Sequence, residues 1–188
     1  MTRYKIVMMG ACCVGKTSIV LRYLNSTAPH MATLGVTYVE FGLENGRLIH
    51  PKAERHMTRV GLWDTAGQER YAPLLPMYYR NADVAIVVHD GSLDSIATAE
   101  TLVRKVRASE PTIKVMLVQN KSDLRLLNQK FIERLAPDKS AYVCTLRGDS
   151  VHRMLHEAVA LARSNPSTLP QETVTVAVQE KTKCCRVL

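Results

Sequence analysis

Residues 4–18 read YKIVMMGACCVGKTS. The segment YKIVMM is a short apolar run that ends at Gly10, as a buried strand does. From Gly15 to Asn25 the pattern turns helical, with Ile19, Val20, Tyr23 and Leu24 recurring at helical intervals. Between them stands G-x-x-x-x-G-K-T. A strand, this spacing and then a helix is the context that makes a phosphate-binding loop. Backbone N–H groups along the loop can ring a phosphate, aided by the positive end of the helix. Lys16 reaches the β- and γ-phosphates of a nucleotide, and the Thr17 hydroxyl is offered to Mg²⁺. The nucleotide-binding positions are then Gly10, Cys13, Val14, Gly15, Lys16, Thr17 and Ser18. A chance glycine turn before a helix is the plain alternative. All four defining residues in the right context count against it.

Outward from this loop, strand and helix alternate. VTYVEFGL alternates in polarity like a half-buried strand, and TRVGLWD is a further strand. ADVAIVVHD and IKVMLVQN are continuous apolar runs with polar ends, typical of inner parallel strands. AYVCT is a last short strand. Helical patterns cover residues 94–108, 131–135 and 151–163. The stretch ENGRLIHPKAERH reads as a polar connection with an Asn-Gly turn signal. The expected fold is α/β: a single domain with a mostly parallel six-stranded sheet and helices on both faces. Residues 1–165 form that domain. Residues 166–188, with two prolines and no helical stripe, read as a flexible tail.

The chain has 188 residues, enough for one domain with a full core. No apolar run reaches the roughly 18 residues of a membrane span. The first residues lack the apolar core and cleavage site of a secretory signal. The net charge is +8, but the basic residues are spread and not interleaved with aromatics, so nucleic-acid binding is not expected. Cysteines at 12, 13, 144, 184 and 185 suit neither a disulfide framework nor a zinc site. A reduced, cytosolic protein is expected.

Two further motifs sit at strand ends. DTAGQER begins at Asp64, where a carboxylate can hold a Mg²⁺-bound water. Gly67 lets backbone approach a γ-phosphate, and Gln68 can orient an attacking water. A helix start capped by Asp64 or Thr65 is the alternative. NKSD, residues 120–123, follows IKVMLVQ. The Asp123 carboxylate can accept two hydrogen bonds from guanine, at N1–H and the 2-amino group; adenine would leave it unpaired. Asn120 can bond the base edge and tie its loop to the phosphate loop, and the stem of Lys121 can lie over the ring.

With these motifs in order, the sequence resembles the Ras superfamily of small GTPases and, within it, the Rab family. WDTAGQERYAPLLPMYYRNADVAIVVHD carries the likeness most strongly, and its LLPMYYR portion is similar to the endosomal branch. The resemblance spans residues 3–163. It implies that Thr33 is the switch threonine reaching Mg²⁺ and the γ-phosphate. The metal set is then Thr17, Thr33 and Asp64, and the catalytic set Gln68, Lys16 and Thr33. It implies switches at residues 27–36 and 66–79, with Phe41, Trp63 and Tyr78 as an aromatic cluster shown to effectors. Core packing is the competing reading for Phe41. Cys144, Thr145 and Leu146 stand where the family's fifth guanine motif would be. Cys12 and Cys13 fill variable positions, contribute backbone N–H groups, and leave redox sensitivity open.

Three departures stand out. The stretch between Thr17 and Thr33 is short and lacks an aromatic to stack on guanine; Ala28, Pro29 and His30 occupy the region. The fifth motif is atypical, and the 45–57 connection is long. The end, KCCRVL, fits a prenylation box with Cys185 and a second site at Cys184, flanked by Lys181, Lys183 and Arg186. The implied function is a GTP/GDP switch that slowly hydrolyses GTP and recruits effectors in vesicular, endocytic transport. A GTP-binding scaffold with fast exchange and little hydrolysis is the alternative. A P-loop kinase of small metabolites is disfavoured by NKSD. The implied partners are an exchange factor, a GTPase-activating protein, effectors at the switches, a GDP-dissociation inhibitor and the prenylation machinery. A monomer is expected, in the cytosol and on the cytoplasmic face of endosomal membranes.

Overall fold

A computed structural model describes residues 3–25, 33, 35–44, 47–49, 58–124 and 129–165. The strands are β1 (Arg3–Gly10), β2 (Val36–Glu44), β3 (Arg47–Ile49), β4 (Thr58–Thr65), β5 (Val84–His89), β6 (Lys114–Gln119) and β7 (Lys139–Tyr142). The helices are α1 (Lys16–Tyr23), α2 (Leu75–Tyr79), α3 (Leu93–Ser109), α4 (Gln129–Leu135) and α5 (Gly148–Arg163). A 3₁₀ stretch, Glu69–Leu74, leads into α2.

One sheet runs in the order β3-β2-β4-β1-β5-β6-β7. The pairs from β4 through β7 are parallel, and β2 is antiparallel to both β3 and β4. The six expected strands are present. The seventh is β3, inside what the sequence presents as a polar connection. It is a three-residue edge strand, too short to show a period. The last strand also starts earlier than AYVCT suggests. Lys139 pairs with Met116 and Tyr142 with Gln119, and Val143 and Cys144 already lie beyond it.

Alternation along β1 explains its unbroken apolar run. Ile6 and Met8 enter a core layer with Ile19, Val20, Phe41, Met154 and Leu155, under α1 and α5. Val7 and Met9 enter the opposite layer with Leu102, Val103, Leu117 and Tyr79, under α2, α3 and α4. A strand buried on both faces has no polar side to show. From β1 the chain crosses toward the β2–β3 edge, and from β4 it crosses back over β1 to β5 on the other side. The crevice for a ligand therefore opens at the carboxyl ends of these central strands. Among the described residues, no helix is long and apolar enough to cross a membrane.

Candidate nucleotide site

Gly10 closes β1, and Gly15 precedes α1. Both have positive φ, +150° and +91°. A Cβ on Gly10 would collide with the carbonyl oxygen of Val88, and one on Gly15 with the Asn120 side chain. Only glycine lets the loop pass β5 and the NKSD segment this closely. Lys16 opens α1 and is 6% exposed. Its Nζ donates to the carbonyl oxygens of Gly10 (3.0 Å) and Ala11 (2.7 Å). Burial pushes the ammonium below its ordinary pKa, and Asp64 partly opposes that shift. The result is a desolvated cation aimed across the phosphate loop. Gly67 lies so near that a Cβ there would strike Ala11 and the Lys16 ammonium.

The three expected metal ligands converge. Thr17 Oγ1 donates to Asp64 Oδ2 at 2.6 Å and lies 2.7 Å from Thr33 Oγ1. The Thr65 hydroxyl donates to the Met8 carbonyl at 2.8 Å, pinning the end of β4 to β1. Burial raises the Asp64 pKa, against the Thr17 hydrogen bond and the Lys16 charge. Its Oδ1 is buried with no partner among the described residues. Two hydroxyls and a carboxylate with one oxygen to spare are hard donors. They fit Mg²⁺, which takes a few protein oxygens together with substrate phosphates. Asp64 lies within β4, so the alternative of a capped helix start there does not hold.

Gln68 is extended, and its buried Oε1 also lacks a partner among the described residues. With Gly10, Ala11, Cys12, Ala66 and Gly67 it lines a cavity of about 430 Å³ between the phosphate loop and α3. Native structures rarely leave buried polar atoms unpaired. Four such side-chain atoms occur among the described residues, on Asp64, Gln68, His89 and Asn120. Three of the four belong to residues the motifs single out.

Asn120 follows β6. Its Nδ2 donates to the Val14 carbonyl at 2.9 Å, the tie between the NKSD and phosphate loops. Its N–H donates to the His89 carbonyl at 2.8 Å. Lys121 is left-handed, φ +55°, and its Nζ meets Asp90 Oδ2 at 2.8 Å. Asp90 Oδ1 accepts from the Ser92 N–H, the Ser92 hydroxyl and the Ser95 hydroxyl. Burial alone would raise the Asp90 pKa. The Lys121, Ser92 and Ser95 hydrogen bonds outweigh it and hold the carboxyl well below the usual range. Asp90 is a site residue that the sequence reading passes over. Its signal was an acid at a strand end, two residues before a serine cap. Asp123 is exposed.

The loop after β7 is drawn alongside by the Ser122 N–H, which donates to the Val143 carbonyl at 3.2 Å. Cys144 is buried, and its N–H donates to Ser150 Oγ at 3.1 Å. That donor is committed within the fold. Thr145 and Leu146 follow in a turn, with Leu146 exposed and its carbonyl held by Arg22.

The aromatic cluster differs from the expectation in one member. Phe41 is 3% exposed and packs edge-on against Tyr23 in the α1 and α5 layer. The third ring beside Trp63 and Tyr78 is Tyr38, directly opposite Trp63 in the β2–β4 register, with ring centroids 5.1 Å apart. Tyr38 and Phe41 are three positions apart, so the pleat sends them to opposite faces. Ala28, Pro29, His30, Lys181, Lys183, Cys184, Cys185 and Arg186 lie outside the described residues, as do residues 166–188 and most of 45–57.

The family described as "Ras of Complex, Roc, domain of DAPkinase" matches residues 5–123, which take in all three motifs. The chain is 36% identical over 133 residues to the GTP-binding protein YPT52 of Saccharomyces cerevisiae, an alignment covering 66% of this chain and 55% of the yeast protein. It thus spans about half the length of that relative. Motif order, sheet topology and these likenesses agree: the chain belongs to the Ras-like GTPase domain family, where it resembles the endosomal branch of the Rabs.

Proposed function

We propose that this chain is a GTP/GDP switch that binds guanine nucleotide with Mg²⁺, hydrolyses GTP slowly and recruits effectors at endosomal membranes. Residues 1–165 are its nucleotide-binding domain. One observation carries the reading: Thr33 from the first switch stretch and Asp64, at the end of β4 just before the second, meet at Thr17 of the phosphate loop. Loss of a γ-phosphate contact would release both stretches at once, which is how such switches report their nucleotide.

In this reading Lys16 neutralises phosphate charge, and N–H groups of residues 10–18 orient the phosphates. Thr17, Thr33 and Asp64 would hold Mg²⁺, which would supply positive charge to offset that of the phosphates. Gln68 Oε1 accepts a hydrogen bond from the attacking water and orients it. Gly67 keeps the backbone close enough for Gln68 to reach. Asp123 pairs with the guanine edge, and Asn120 keeps base and phosphate seats in register. The base oxygen is left to the N–H groups of Thr145 and Leu146, since that of Cys144 is committed to Ser150. The face of Tyr38, Trp63 and Tyr78 is offered to effectors, while an exchange factor, an activating protein and a GDP-dissociation inhibitor set the nucleotide state. The placement of Gln68 beside the phosphate loop supports hydrolysis over a GTP-binding scaffold.

Single-turnover hydrolysis of preloaded GTP tests this. The wild type should turn over slowly, and Gln68→Leu at least tenfold more slowly with GTP binding retained. A tenfold loss corresponds to roughly 1.4 kcal/mol of barrier. Equal rates would move the water-orienting role to another group.

A further inference from the structure

Consecutive cysteines are an unusual filling for a phosphate loop, and the structure places their thiols together. The sulfurs of Cys12 and Cys13 lie 3.5 Å apart, and both residues are exposed. Adjacent side chains on extended backbone point to opposite sides. Here Cys13 adopts the left-handed conformation, φ +60°, and the two sulfurs share one side of the loop. Cys12 also opens onto the cavity that Gln68 and Gly67 line, so a small solute has a path to the pair. Neither thiol serves the nucleotide reading, which uses only the backbone there. Cys144, by contrast, is buried.

We propose that Cys12 and Cys13 form a dithiol modification site, which a hydroperoxide oxidises to a disulfide between neighbours, and that this modification loosens the phosphate loop's hold on nucleotide. The second half of the proposal rests on the reading of the site given above. The Cys13 sulfur attacks the peroxide, and the O–O bond breaks. A sulfenic acid forms, and an alcohol or water leaves with the thiol proton. The Cys12 sulfur then attacks the sulfenic sulfur; the S–S bond forms, the S–O bond breaks, and water leaves with the second proton. Two thiols and one hydroperoxide give one disulfide, one alcohol and one water, and the peroxide oxygen takes two electrons from the sulfurs. The Cys12 thiol is pushed up chiefly by its hydrogen bond to Cys13, which suits Cys13 as the first attacker.

Closing the bond draws the sulfurs from 3.5 Å to about 2.05 Å. Because the residues are adjacent, the ring closes largely by rotating the backbone they share. That backbone supplies phosphate-binding N–H groups. Oxidation and nucleotide binding should therefore oppose each other, and by linkage bound nucleotide should protect the thiols.

The test uses the full chain, hydrogen peroxide and mass mapping of the tryptic peptide of residues 6–16, which holds both cysteines. The expected result is a peptide lighter by two hydrogen atoms, restored by dithiothreitol. It should form more slowly with GDP and Mg²⁺ than in nucleotide-stripped protein, with Cys144 still reduced. Release of a fluorescent GDP analogue should be about tenfold faster after oxidation. In Cys12→Ser no disulfide can close in that peptide, and peroxide should speed that variant's release much less than the wild type's. Two free thiols after treatment, cross-linked chains, or release unaffected by a formed disulfide would each overturn the proposal. If the peptide oxidises as expected in a protein that binds no guanine nucleotide, the reading of the site fails while the dithiol chemistry stands.

Discussion

At the scale of single residues, Lys16 and Asn120 make the sharpest claims. Lys16→Ala removes the buried cation facing the phosphates. The purified variant should lose most of its bound nucleotide, measured by releasing and quantifying it; stoichiometric retention would contradict the role. Asn120→Ala unties the NKSD loop from Val14 and should speed GDP release at least tenfold, about 1.4 kcal/mol. His89 offers a separate check on the core. It is 1% exposed, packs against Phe131, and burial lowers its pKa from 6.5 to about 4. Between those values the unfolded chain holds a proton that the folded chain does not. Stability is therefore lost as pH falls through that window and levels off below it. The whole loss is about 3 kcal/mol, at roughly 1.4 kcal/mol per pKa unit. Urea unfolding should show a smaller acid-side fall in His89→Gln than in the wild type; equal falls would assign the titration elsewhere. The motif residues were legible because chemistry fixes their types and spacing. Asp90 was not, because its ion pair joins it to Lys121, which follows a different strand.

Among the elements, β2 decides which aromatic does what. Phe41→Ala empties a place in the α1 and α5 layer, and a buried Phe→Ala change costs about 3–5 kcal/mol. Tyr38 lies half-buried, within reach of Arg3, with its hydroxyl donating to Glu40. Tyr38→Ala should cost well under half as much in chemical denaturation; the opposite order would reverse the assignment of faces. The inner strands β1, β5 and β6 were readable because burial on both sides makes them apolar throughout. At Tyr38 and Phe41 both residues are aromatic, so composition alone assigns neither to a face, and the register against β4 settles it. The 3₁₀ stretch and α2 escaped notice for another reason. They are short, contain Pro73 and Pro76, and give no helical period to read.

For the whole molecule, the central claim is that three stretches far apart in sequence build one seat for a guanine nucleotide. The parallel sheet does the assembly: β1, β4 and β6 end on the same edge and deliver the phosphate loop, Asp64 and Asn120 to one crevice. The mostly parallel sheet and the site at its strand ends followed from the sequence, because alternating strands and helices leave few arrangements, whereas the strand order comes from the pairing itself. The committed Cys144 N–H did not, because it depends on how α5 presents Ser150. The most direct test is displacement of a fluorescent GDP analogue from the nucleotide-exchanged protein in Mg²⁺, by GTP and, in parallel, by ATP. The account predicts that GTP competes and ATP does not, and that Asp123→Ala narrows the difference. Displacement by ATP as effective as by GTP in the wild type would contradict it.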